Sequence, residues 1–296
     1  MKQSTWRNVG AEVNGNSVKE IILQAGLDYE VVKEPIYTGA GELIPDQYVT
    51  RQKNEPVFFG TVGSKYEIIQ NADAFAFVDN MVDSGLKFEK AGQTAGGMVY
   101  IIASLDEFDI FGDKMTPYII FQNSHNGSIP MKAALTTLRM VCQNQFTVAF
   151  KEASNVVKVR HTANANQRMA EAQRIMHEAI NYRSSVNQLA EQLNSVKVNS
   201  IAANRIVAEL FPYTEKDSKL KVERAEEARS NLLHIFRKDD DLANHRNTGW
   251  GMFNAYSDFV THAQPNRMTK NWEENKFVHV LNSNMNNAID VIKSVA

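Results

Sequence analysis

Two side chains in the middle of the chain have the chemistry of a base or a nucleophile. His125 lies in the polar run Asn123–Ser128, directly after an apolar segment. Tight polar loops at strand ends can present side chains or backbone amides to a ligand. The run fits a catalytic or phosphate-contacting loop, and it also fits an Asx-type turn whose polar groups satisfy their own backbone. No acidic partner is close in sequence, which favours the structural turn.

Cys142 is the only cysteine of the chain. A thiol nucleophile needs a neighbouring imidazole, for which His125 or His161 are candidates. The apolar flank before Cys142 instead predicts a buried, inert thiol. A hydrolase that uses Cys142 or His125 is therefore the weakest of three functional hypotheses. A single cysteine cannot form an internal disulfide, which is typical of a reducing compartment.

The motifs of metal and nucleotide sites are absent from the sequence. The seven histidines show no HxH, HExxH or Cys-His ligand spacing. There is no GxxxxGK[ST] loop, and Gly92, Gly96 and Gly97 fall in a predicted hairpin rather than before a helix. We therefore expect no metal, no cofactor and no enzymatic activity.

The basic residues are distributed unevenly. The net charge is −2, but residues 1–150 carry −5 and residues 151–296 carry +3. From Lys132 to Arg174 the sequence contains seven basic residues but only two acidic residues, Glu152 and Glu171. Such a stretch is either a footprint for a polyanion or a solvated face that balances the acidic first half. The candidate phosphate contacts are Lys132, Arg139, Lys151, Lys158, Arg160 and His161, with Phe146 or Phe150 as candidate stacking platforms.

Arg160, His161 and Thr162 follow a short predicted strand and precede a long predicted helix. Basic groups at this position could hold a phosphate at the helix N-terminus. Alternatively, Thr162 or Asn164 is an ordinary N-cap. The sequence leaves both interpretations open.

The elements that must position these residues change character near Thr162. Before it, apolar residues alternate with a period of two and are separated by glycine-rich turns; after it, the period is that of a helix. We predict an α+β fold with a curved, mostly antiparallel sheet and a packed helix, followed by a helical C-terminal region. The predicted domains are residues 1–161 and 162–296. Strands are predicted at 29–37, 48–51, 57–62, 66–69, 88–93, 98–105, 108–111, 118–123 and 131–137, and helices at 18–25, 72–83, 164–194, 201–210, 225–235, 248–263 and 272–292.

Composition limits the class of protein. The chain is 43% hydrophobic and 22% charged, which excludes collagen-like and wholly disordered proteins. No window approaches eighteen apolar residues, and the first residues lack an apolar leader stretch. We expect a cytoplasmic protein without a membrane span.

Several motifs resemble a family described as domain-of-unknown-function family 932, found in phages and plasmids. The most specific is Thr136-x-x-Arg139-x-Val141-Cys142-x-Asn144. The other similar stretches are Ala25–Val31, Gly63–Asn71, Ala95–Ala103, Tyr118–Ser128, Arg160–Thr162 and Trp250–Tyr256. The resemblance implies an origin in a mobile element. A looser likeness of fold connects the predicted sheet, helix and basic stretch to ring-forming single-strand annealing proteins of the Rad and Erf kind.

The leading hypothesis is a non-enzymatic protein that binds and anneals single-stranded DNA in phage or plasmid recombination or replication. Basic side chains would follow the phosphates while aromatic rings stack on bases. Because the net charge is only −2, a binding groove must be local, and we expect a homo-oligomer to build it. The alternative is a protein-binding accessory factor, for instance an inhibitor of a host defence complex, with a host or phage protein as its partner.

Overall fold

The structure is a computed structural model that describes residues 9–94, 96–139, 144–146, 156–158, 165–262, 270–276 and 285–295. The fold is α+β, with antiparallel sheets and C-terminal helices, as predicted. Within the described residues the larger sheet has eight strands, in the order β1-β5-β6-β8-β9-β10, with β7 paired to β8 and β11 paired to β9. These strands are β1 (Ala11–Glu12), β5 (Lys87–Gln93), β6 (Met98–Ser104), β7 (Phe108–Ile110), β8 (Asp113–Ser124), β9 (Lys132–Arg139), β10 (Asn144–Phe146) and β11 (Val156–Lys158).

A second, three-stranded antiparallel sheet is formed by the strands that lie between β1 and β5 in the chain. It contains β2 (Val31–Tyr37), β3 (Leu43–Gln52) and β4 (Phe58–Gly63), in that order. The strand predicted at 66–69 is wrong, because residues 66–70 join no ladder. The ammonium group of Lys33 donates to the carbonyl oxygens of Ser64 (2.9 Å) and Tyr66 (2.7 Å). These two carbonyls are thus bound by a lysine side chain rather than by a neighbouring strand.

The helices of the first half are short. The first, α1 (Val18–Gln24), begins at Ser17, whose hydroxyl accepts from the amide of Glu20. The predicted helix at 72–83 is divided into three helical pieces. These are α2 (Asn71–Phe75), a 3₁₀ turn (Ala76–Val78) and α3 (Asp79–Val82). Buried apolar side chains occupy four of the five positions 74–78, so this segment packs on more than one side.

The second half is helical, as the change of period predicts. Its helices are α4 (Ala165–Ser195), α5 (Ser200–Leu210), α6 (Lys219–Lys238), α7 (Gly249–His262) and α8 (Asn286–Ser294), with a 3₁₀ segment at Asp240–His245. Residues 272–276 are also helical, and residues 277–284 of the helix predicted over 272–292 lie outside the described residues. Within the described part of the chain, no helix combines the length and the apolar character needed to cross a membrane.

The two faces of the larger sheet are both covered. One face packs against α4 and the 3₁₀ turn of α2–α3, and its core continues into α5 to α8. The other face carries a smaller cluster around Tyr100, Tyr118 and Ile120. Burial and the nearby carboxylate of Glu274 raise the pKa of Tyr100, so part of residues 270–276 lies near this second face. The apolar core includes side chains from both predicted domains, and the division at residue 161 stays a prediction.

Candidate functional site

The strand pairing brings two of the six predicted phosphate contacts together. In the antiparallel pair of β9 and β11, Lys132 lies directly opposite Lys158. Directly opposed residues of an antiparallel pair point to the same face, with Cβ atoms about 4.5–5.5 Å apart. On its other side Lys132 faces Gln122 of β8, and Gln122 in turn faces Tyr100 of β6. A single row of side chains, Tyr100, Gln122, Lys132 and Lys158, therefore crosses the sheet; we call it the lysine row.

Neither lysine of the row forms an ion pair within the described residues, and the carboxylate of Glu274 lies near Tyr100, at the other end of the row. Lys132 is half-buried, and this burial lowers the pKa of its ammonium group. Lys158 is exposed. Within the described ranges, neither ammonium group has a carboxylate within 4.0 Å. Two like charges directly opposite each other destabilise a sheet, and an anion bound between them would remove that repulsion.

Gln122 adds unused hydrogen-bonding capacity to the same row. Its side chain is 2% exposed, and its Oε1 has no hydrogen-bond partner among the described residues. A buried amide without a partner costs free energy. The row therefore offers two cations to an oxyanion, and the buried amide of Gln122 lies next to them in the sheet.

Arg174 and Arg139 do not extend this row. Arg174 on α4 makes an ion pair with the buried carboxylate of Glu171 (2.5 Å) and donates to the carbonyl oxygen of Lys158 (2.7 Å). Its charge is thus neutralised, and its guanidinium group fastens β11 to α4. Arg139 pairs with Met115 at the opposite end of β9 from Lys132, roughly 23 Å away at about 3.3 Å per residue.

Of the other predicted contacts and stacking rings, only Phe146 belongs to the described residues. Lys151, Arg160 and His161 lie outside the described residues, as do Phe150 and Cys142. Phe146 belongs to β10, where it pairs with Thr137. The phosphate roles of Lys151, Arg160 and His161, the stacking roles of Phe146 and Phe150, and the choice of Thr162 or Asn164 as an N-cap stay predictions.

The loop around His125 has the geometry of a structural turn. The Asn126 side chain accepts from the amide of Ser128 (2.9 Å) and donates to the carbonyl oxygen of Gly96 (3.1 Å). The Ser124 hydroxyl donates to the carbonyl oxygen of Ile129 (2.9 Å). These are the contacts of an Asx-type turn tied to the adjacent chain. The side chains of Ser124 and Asn126 are therefore engaged within the protein, whereas Nδ2 of Asn123 has no hydrogen-bond partner among the described residues.

His125 itself is inside the protein. It is 0% exposed, and its Nε2 lies 2.8 Å from Oδ1 of Asn71. The rings of Tyr29 and Phe59 pack around it, and Nδ1 has no hydrogen-bond partner among the described residues. Burial lowers the pKa of His125 to about 4, so the imidazole is neutral at pH 7. A fully enclosed neutral imidazole is not positioned to exchange protons with a substrate in solvent.

Metal binding has no support in the described part of the chain, where no group of three or more His, Cys, Asp or Glu side chains converges.

The sequence analysis did not identify Gln122 as a candidate site residue. The signal was present, because Gln122 is a polar residue that continues the apolar run from Tyr118 to Phe121. Only the strand register shows that it lies beside Lys132.

Comparison with known proteins gives one finding. The model of a family described as Domain of unknown function (DUF932) matches residues 58–283, which is more than half of the chain. The match includes both the strands of the lysine row and the helices α4 to α7. No curated protein and no solved structure matches the chain.

Proposed function

The chain belongs to the DUF932 family, and from this premise we propose that it binds single-stranded DNA through phosphate contacts at the lysine row. The observation that carries the proposal is the pairing of Lys132 with Lys158 without a carboxylate partner in the described residues. Annealing of strands and a role in phage or plasmid recombination are the finer part of the proposal. They rest on the resemblance described above.

Phosphate binding follows from the electrostatics of this row. Neutralisation of a phosphate by a lysine releases condensed counterions, which makes binding favourable and dependent on salt. The half-buried ammonium of Lys132 is poorly compensated by solvent, so it gains more from an anion than an exposed lysine does. In this proposal, the exposed Lys158 guides the DNA backbone toward Lys132.

A single row makes few phosphate contacts, and the net charge of the chain is −2. Strong binding by one copy is therefore not expected. A homo-oligomer would repeat the lysine row and add its contacts along one strand of DNA. We propose this oligomer as the active form, and no enzymatic step is needed for it.

The experiment is a fluorescence anisotropy titration of a labelled oligo-dT strand at several salt concentrations. The variants are Lys132→Gln and Lys158→Gln. The matched control is Lys114→Gln, which also removes one positive charge from the larger sheet, where Lys114 pairs with Glu107 at 3.7 Å. Each row variant should lower the salt slope by about 0.7 and weaken binding about fivefold near 0.1 M salt. The control should match the unmodified protein.

Two outcomes would contradict the proposal. If both row variants bind DNA as tightly as the unmodified protein and melt at the same temperature, the DNA contact lies elsewhere. Absence of binding to any single strand at low salt would instead favour the alternative, a protein-binding accessory factor. Mass measurement in solution, with and without the oligonucleotide, tests the oligomer.

A further inference from the structure

A cavity of about 480 Å³ opens between α1 and α2, away from the lysine row. Its volume is within the range of about 300–1,000 Å³ that ligand pockets occupy. The apolar walls come from Val18, Ile22 and Leu27 on one side and from the small residues Ala72 and Ala76 on the other. We call this cavity, with its walls, the α1 groove.

Three polar side chains that line the α1 groove, Gln70, Asn71 and Asp79, are engaged within the protein. Gln70 exchanges two hydrogen bonds, each 2.9 Å, with the backbone of Val31. Asn71 donates to the carbonyl oxygen of Leu27 (2.9 Å) and contacts His125. Asp79 accepts from the amide of Val18 at 2.6 Å. Because these three side chains are engaged, a ligand in the α1 groove would be held mainly by apolar contacts.

The charges that line the groove are mainly negative. Three carboxylates, Asp28, Glu30 and Asp79, stand against Lys19. Glu30 has an ion-pair partner in Lys53, whereas Asp28 has none within the described ranges. The first half of the chain also carries a net charge of −5. A phosphate backbone or an anionic lipid would be repelled here, whereas a cationic segment would be attracted.

We propose that the α1 groove docks a basic peptide segment of a partner protein, which inserts large aliphatic or aromatic side chains between α1 and α2. Leu23 is 65% exposed although it lines the groove, so it would be covered by such a segment. This is the helix-in-groove mode, in which apolar side chains bind and flanking charges select the partner. The groove is separate from the lysine row and does not depend on DNA binding.

The probe is a fluorescein-labelled amphipathic peptide of about twelve residues, with leucines on one face and lysines on the other. Two comparison peptides replace the leucines by serine or the lysines by glutamate. We expect the full-length protein to bind the first peptide at least tenfold more tightly than either comparison peptide, a difference of about 1.4 kcal/mol. Equal affinity for the serine or the glutamate peptide would overturn the proposal.

Variants locate the site. Ala76→Leu and Ala72→Leu fill the groove, and each should weaken binding about tenfold. Ala170→Leu, at an exposed position of α4, is the matched control. Asp28→Asn should weaken binding mainly at low salt, whereas Asp290→Asn on α8 should not. Melting curves identify any variant that fails to fold, and two filling variants keep the test decisive.

Normal peptide binding by a folded Ala76→Leu or Ala72→Leu protein would overturn the inference. So would equal effects of Asp28→Asn and Asp290→Asn, because the attraction would then be a general effect of charge. Binding of the single strand should remain unchanged in all groove variants. The proposal for DNA binding at the lysine row and the proposal for peptide binding at the α1 groove can therefore be disproved separately.

Discussion

The Nε2 atom of His245 lies 2.8 Å from Oδ2 of Asp113, although the two residues are 132 positions apart in the chain. Both side chains are buried, at 3% and 8% exposure. Asp113 begins β8, and His245 ends the 3₁₀ segment that precedes α7. This hydrogen bond therefore connects the larger sheet to the C-terminal helices at a point from which water is excluded.

Loss of this contact should destabilise the protein strongly. We expect Asp113→Ala or His245→Ala to lower the free energy of unfolding by about 1–3 kcal/mol, because each removes one partner of a hydrogen bond between two buried side chains. A urea denaturation series on the single and double variants measures the coupling. Asp240→Asn, which removes the charge of the exposed pair with Arg246, is the control and should leave the urea midpoint nearly unchanged. Additive effects of the two single changes would contradict the assigned contact.

Gly251 should tolerate no larger residue. A Cβ atom built on Gly251 would lie 2.0 Å from the carbonyl oxygen of His245, which also accepts the Thr248 hydroxyl at 2.8 Å. Because that carbonyl is held, Gly251→Ala should lower the free energy of unfolding by at least about 1–3 kcal/mol. Gly63→Ala, where a Cβ meets no atom within 4 Å, is the control. Equal melting temperatures for the two variants would contradict this packing.

A second close approach involves Gly60 and the loop after β8. A Cβ on Gly60 would lie 2.8 Å from Cβ of Asn126. Gly60→Ala should therefore cost about 1–3 kcal/mol of stability. Asn126→Gly removes the obstructing atom, so the double variant should be less destabilised than the sum of the two single changes. Chemical denaturation of the four proteins tests this, and a purely additive cycle would disprove the contact.

Buried His125 should make stability depend on pH. Its pKa in the folded protein is about 4, below the 6.5 of an unfolded histidine. Between these values the unfolded chain binds more protons, so stability rises with pH and is lost as pH falls from 6.5 toward 4. The loss attributable to His125 should total about 3 kcal/mol, at 1.36 kcal/mol per pH unit.

His125→Gln is the comparison for this titration, because it keeps a hydrogen-bonding group but cannot titrate. The urea midpoints of the two proteins should converge as pH falls from 7 to 4, since carboxylates shared by both cancel. Parallel midpoints across that range would mean that His125 is accessible to protons in the folded state.

Much of the fold follows from local patterns in the sequence. Alternating apolar residues on both sides of Gly96 and Gly97 predict the hairpin of β5 and β6, and helical periodicity ended by Pro212 predicts α5. The segment 66–69 shows the limit of this reasoning. Its alternation is that of a strand, but Lys33 binds the carbonyls of Ser64 and Tyr66, and this contact spans more than thirty residues.

The sequence by itself determined the α+β class, the change to helix near residue 162 and the candidate basic residues, because periods, caps and charges are local properties. It did not determine which of those residues would meet. Lys132 and Lys158 are neighbours because β11 pairs with β9, although 25 positions separate the two lysines in the chain, whereas Arg139, only seven residues from Lys132, lies at the far end of the same strand. Strand register depends on the packing of whole faces, with a one-residue shift reversing every side chain. Only the tertiary structure could decide it.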